Sequence, residues 1–145
     1  MSEVTVASGE LPALPSVLAL LRECELPETG VREAFDRFIV AHAGNDVVGC
    51  CGLEVHGETG LLRSLAVARS HRGRGLGERC ARAAIEQARR HGLSALYLLT
   101  TTASDYFVRL GFELCPRDDA PDAIRGSWEF RTGCPAMAVF MRLCL

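Results

Sequence analysis

Lysine is absent: all sixteen basic residues of this 145-residue chain are arginine. That removes a phosphate-loop lysine, Schiff-base chemistry and a lysine-attached carrier from consideration. The seven cysteines include no C-x-x-C pair, and their odd number argues against a disulfide framework. Most are expected to be buried small hydrophobes, and the adjacent Cys50 and Cys51 would point to opposite faces of a strand. No metal site is expected. No apolar run approaches a membrane span, and MSEVTVASGE lacks the positive start and apolar core of a leader, so a cytoplasmic protein with no membrane partner is expected. A net charge of −2 and an isoelectric point near 6.1 give no general attraction to nucleic acid.

What is present is one core's worth of apolar residues, 48% of the chain, too few for two ordinary domains. A single domain over residues 1–145 is expected, monomeric or homodimeric. Val4–Ala7 alternates as a short strand, and Leu14, Val17, Leu18 and Leu21 fall at helical spacing, with Pro12 and Pro15 tolerable only near that helix's first turn. Phe38–His42 and Val47–Val55 flank the turn residues Gly44-Asn45-Asp46, and a second turn leads into Leu61–Ala68, giving three successive antiparallel strands. Leu76, Cys80, Ala81, Ala84, Ile85 and Ala88 then line one face of a helix that Gly92 stops. Ala95–Leu99 is uniformly apolar, as a buried parallel strand would be. A short helix over Ala103–Leu110, a mostly irregular stretch with a turn or two of helix at Asp122–Phe130, and a strand over Ala136–Leu143 complete the chain.

Between strand and helix lies Arg72-Gly73-Arg74-Gly75-Leu76-Gly77. Its glycines let backbone approach a ligand, the helix start offers unpaired N–H groups, and the arginines add forked, permanent charge. A bound phosphate is the expectation. A dinucleotide fingerprint fails, because the third glycine is missing and no acid ends the strand at Leu99-Thr100.

Taken with the element order, two motifs carry a resemblance. Arg72-x-x-Gly75-x-Gly77 looks like the acetyl-CoA pyrophosphate motif of the GCN5-related N-acetyltransferase superfamily, and Tyr106–Phe112, ending in Gly-Phe, looks like its second signature. The resemblance implies an α/β (α+β) fold with a central, mostly antiparallel sheet, helices on both faces, and a V-shaped splay between strands 61–68 and 95–100. It implies acetyl-CoA as co-substrate and a small-molecule amine as acceptor. The backbone of Leu65, Ala66 and Val67, at a strand bulge, would hold the pantetheine. Gly73, Gly75, Leu76 and Gly77 would receive the pyrophosphate, with Arg72 and Arg74 screening its charge and Ser104 as a further cofactor contact.

The superfamily's usual thiolate-protonating tyrosine falls on Phe107 here. Tyr106, next to it, is either the general acid or a packing side chain. Glu54 or Glu58 would serve as base, or stand as a solvated carboxylate. Arg63 faces with Leu65 and Val67 if alternation holds, and a buried arginine must meet an anion. That anion is either a carboxylate of the acceptor, clamped together with Arg125, or an internal partner. Ser64 and Thr102 would add hydroxyls. Leu62-Arg63-Ser64-Leu65, Leu98–Ala103 and the Arg125–Pro135 tail resemble more narrowly a bacterial subgroup associated with arsenic resistance, which implies detoxification by acetylation of a small amine, an arsenic-bearing amino acid among the candidates, with thiols such as Cys134 either close enough to meet arsenicals or buried in packing. The rival from another class is a catalytically silent acyl-CoA-binding module.

Overall fold

A computed structural model describes residues 3–133 and 138–145. Seven strands form one sheet in the order β1-β2-β3-β4-β5-β7-β6: β1 Val4–Ser8, β2 Ile39–Ala43, β3 Asp46–His56, β4 Thr59–Val67, β5 Ala95–Thr100, β6 Glu113–Leu114 and β7 Val139–Cys144. Every pairing is antiparallel except β4 with β5. Helices α1 (Leu14–Glu23), α2 (Val31–Ala34), α3 (Leu76–Arg90), α4 (Ser104–Arg109) and α5 (Asp122–Arg125) cover the sheet. β6 has no counterpart among the expected elements: two exposed residues carry no alternation that a sequence pattern could register. Cys134 and the first residues of the expected last strand lie outside the described residues.

The two faces follow from strand alternation. On one, the apolar stripe of α3 packs on Ile39, Ala41, Cys51, Leu53 and Leu62, joined by Phe107 and Phe112. On the other, α1 and α2 bury Val17, Leu21, Val31 and Phe35 against Phe38, Val40 and Cys50. Cys50 and Cys51 thus enter opposite cores, as their adjacency in a strand requires. A third cluster joins Leu61, Tyr97 and Phe140 to Ile124 of α5.

Two irregularities in β4 create the site. β4 and β5 pair only over Thr59–Leu61 with Ala95–Tyr97 and then part, while β5 continues fully paired to β7. On its other edge, Gly52 pairs with Arg63 but Cys50 with Ala66, so Cys51 opposes both Ser64 and Leu65. This is a β-bulge, and Ser64 adopts the left-handed φ of 57° that such an insertion demands. Close packing supports it: a Cβ on Gly52 would lie 2.4 Å from the Phe38 ring.

Candidate active site

The parting of β4 and β5 opens a cleft of about 440 Å³, floored by Leu62–Leu65 and Leu98–Ala103 and flanked by Phe107 and the loop Glu25–Pro27. Arg63, Ser64, Leu65 and Thr102, expected at the site, all line it. The strand edges facing the cleft carry backbone groups without a ladder partner across the gap.

Beyond the cleft, the chain enters the glycine turn. Gly73 and Gly75 have φ of 78° and 76°, conformations that strain any side chain, and open space surrounds both Cα atoms. Gly75 is the N-cap of α3, and it has no side chain to cap the helix's first N–H groups. Leu76 turns its side chain into the core and offers only backbone. Gly77 packs closely, its hypothetical Cβ being 3.4 Å from both Tyr106 and Val67. Arg74 makes no ion pair or hydrogen bond among the described residues. Arg72 differs from expectation: its Nε donates to the Val67 carbonyl at 3.0 Å and its Nη2 reaches the Cys24 sulfur at 3.6 Å, so it ties the turn to the end of β4. Ser104 opens α4 and is not among the residues lining the cleft.

Arg63 departs from simple alternation. Leu65 and Val67 pack toward α3, whereas Arg63 lies on the opposite face with its side chain only 5% exposed. The extra residue at the bulge reverses the alternation, because one inserted residue flips every later side chain. Its Nη1 donates to Glu54 Oε2 at 2.6 Å and also meets Glu129, Nη2 donates to the Pro27 carbonyl at 3.3 Å, and Nε to Ser64 Oγ at 2.9 Å. Of the two partners left open for Arg63, the structure supplies the internal one. Arg125 does not join it: its guanidinium binds the carbonyls of Ala120 and Asp118, in its own loop.

Glu54 is thereby a poor proton acceptor. Burial works against its ionisation, but hydrogen bonds with His56, Glu129 and Arg63 outweigh burial and hold its carboxyl down at about 2. Glu58 lies exposed in the β3–β4 turn, outside the cleft lining. Glu129 is the acid the sequence did not single out. It is 6% exposed, and burial, then a hydrogen bond shared with Glu54, push its carboxyl up to about 7 against the pull of Arg63. Its only sequence signal is an acid between two aromatics, Trp128 and Phe130, in a stretch that reads as loop.

Phe107 lines the cleft, while Tyr106 turns its hydroxyl against the first turn of α3. That hydroxyl is buried without a partner among the described residues, and burial, then Glu78, push its pKa up to about 12. The one-position offset is thus real in space: neighbouring helical residues diverge by about 100°.

Comparison with known proteins agrees with this geometry. An amino-acid acetyltransferase of Neisseria meningitidis is 30% identical over 125 residues, covering 81% of this chain and 28% of that protein. The chain therefore spans well under half of that relative's length. An uncharacterized N-acetyltransferase of Chlorobaculum tepidum is 29% identical over 99 residues, 68% of this chain and 61% of its own. Among solved structures, N-acetylglutamate synthase from Neisseria gonorrhoeae, complexed with coenzyme A and N-acetyl-glutamate, superposes with a TM-score of 0.85 at 22% identity, over 100% of this chain and 36% of that one. A Mycobacterium tuberculosis protein solved with CoA superposes at 0.82 and 22% identity, over 97% and 99% of the two chains. The sequence profile of the acetyltransferase (GNAT) family matches residues 11–112, and the chain belongs to that family of acyltransferases.

Proposed function

We propose that this chain transfers the acetyl group of acetyl-CoA to the amine of a small, zwitterionic, amino-acid-like molecule. The observation that carries this is the bulged, half-unpaired end of β4 leading directly into the open glycine turn. A pantetheine can add to the edge of β4 at Leu65, Ala66 and Val67 as an extended strand would, beside the Val67 carbonyl that already accepts from Arg72. The pyrophosphate then reaches the N–H groups of Gly73–Gly77, with Arg74 free to pair with it.

The acceptor enters between Ser64, Thr102 and the Arg63 guanidinium, whose Nη2 is bound only to a carbonyl at 3.3 Å and is the group proposed to receive a carboxylate. The acceptor's ammonium first loses one proton to water; the neutral amine attacks the thioester carbonyl, the C–S bond breaks, and the proton the nitrogen sheds on becoming an amide passes to the leaving thiolate. With Phe107 in the cleft and Tyr106 turned away, water is proposed as the proton carrier. A role in resistance to arsenicals is the finer part of the proposal, supported by the resemblance at Leu62–Leu65 and Leu98–Ala103.

A thiol-release assay with acetyl-CoA against a panel of amino acids and amino-acid-like arsenicals tests this. Free thiol with one such amine is the expected outcome. Coenzyme A binding without thiol release from any amine would favour a silent acyl-CoA-binding module, the reading that Phe107 supports.

A further inference from the structure

Among the described residues, three helices end in the same left-handed turn, and one of the three carries the wrong residue for it. At the end of α3, Gly92 N–H donates to Arg89 O and Leu93 N–H to Ala88 O; at the end of α4, Gly111 donates to Val108 O and Phe112 to Phe107 O. The end of α1 repeats the pattern, Glu25 donating to Arg22 O and Leu26 to Leu21 O. This paired 5→2 and 6→1 arrangement requires a left-handed residue, usually glycine. Gly92 and Gly111 have φ of 74° and 103°, whereas Glu25 holds 58° with a full side chain.

Glu25 is unfavourable a second time. A carboxylate at the C-terminus of a helix faces the negative end of its dipole. The neighbouring cation does not relieve it, because Arg22 is committed to Glu28 by two bonds of 3.0 and 2.9 Å. The Glu25 carboxylate has no hydrogen bond or ion pair among the described residues. Two local rules are therefore broken with no compensating contact, at a position that lines the cleft. Glu25 is also the only acid lining that cleft among the described residues, and the buried Arg63, bound to the Pro27 carbonyl of the same loop, lines it too.

We infer that Glu25 is a specificity-determining residue that captures the incoming acceptor by its ammonium group at the cleft, before that nitrogen gives up a proton to water and attacks as the neutral amine. This rests on the proposed acetyl transfer and adds the acceptor's charge to it. A cation at the cleft mouth offsets the dipole penalty and satisfies the free carboxylate, so affinity for a positively charged amine is what the strained position gains.

Two variants test it, with steady-state kinetics in both substrates. Glu25→Gln should raise KM for the amine about tenfold, the scale of one charged hydrogen bond, with KM for acetyl-CoA and kcat little changed. Raising ionic strength should weaken amine binding more in the wild type than in the variant, which keeps only the Arg63 contact to the acceptor's carboxylate. Glu25→Gly should lose the same amine affinity while its melting temperature stays level or rises, since the turn then matches those at Gly92 and Gly111. Wild-type amine KM in both variants, or equal rises for amine and acetyl-CoA, would overturn the role of Glu25 alone. Absence of thiol release from the wild type with every amine would instead remove the transferase reading on which it depends.

Discussion

The glycine turn at Arg72–Gly77 and the charged cluster at Arg63 are neighbours along β4 and opposites in construction. The turn is local, exposed and built from backbone: its function depends on φ values and a helix start within six consecutive residues. The cluster is buried and assembled from Pro27, Glu54, His56, Arg63 and Glu129, drawn from across the chain. The turn can be damaged with little loss of fold, whereas the cluster cannot lose Arg63 without leaving an unpaired carboxylate at Glu54 in the interior.

The largest effect should come from Arg63→Ala, which strands Glu54 and Glu129 without their cation; a loss of about 3–5 kcal/mol is expected from breaking a buried pair, read by urea denaturation. If the variant keeps wild-type stability and loses only affinity for the amine, the cluster is a binding device and the contrast with the turn collapses. Gly75→Val should do the reverse. Strain of about 1–2 kcal/mol at a left-handed residue leaves the fold standing, while calorimetric titration should show coenzyme A binding abolished.

Stability as a function of pH sharpens the contrast further. Glu129 at about 7 binds its proton more tightly folded than unfolded, where the ordinary value is 4.5, so its contribution is full below 4.5 and is lost as pH rises through 7. Glu54 at about 2 behaves oppositely, contributing above 4.5 and losing that contribution as pH falls toward 2. The cluster should therefore favour folding most near pH 4.5, and Glu129→Gln should flatten the alkaline side of that profile in thermal melts across pH.

The smallest change is expected from Tyr106→Phe. Its hydroxyl is buried and has no hydrogen-bond partner among the described residues, so removal should be neutral to slightly stabilising, and kcat should be unchanged. A drop of about a hundredfold, the scale of a lost general acid, would restore Tyr106 to the catalytic role its position beside Phe107 suggested.

These differences explain which parts of the site were legible. The turn was, because glycine spacing, the arginines and an amphipathic helix start sit side by side in the chain, and the splay followed from the resemblance they carried. Arg63 was legible as an arginine needing an anion. The direction it faces was not, because alternation from Leu65 and Val67 breaks at the bulge, which depends on how β3 registers against β4. Arg72 and Arg125 show the same limit. An arginine near a site reads as a ligand contact, and only folding reveals the carbonyls of Val67, Ala120 and Asp118 that occupy them.

By itself the sequence determined the order of the longer strands and helices, β6 excepted, the two apolar faces and the glycine turn that opens α3, because each depends on periodicity or on φ preferences within a few residues. Tertiary structure alone decided that Glu129 joins Glu54 on Arg63, that Phe107 rather than Tyr106 enters the cleft, and that Glu25 holds a glycine's place at its mouth. The physical reason is that charge pairing, register and the rotation of a short helix are settled by contacts between segments far apart in the chain, where local propensity carries no information.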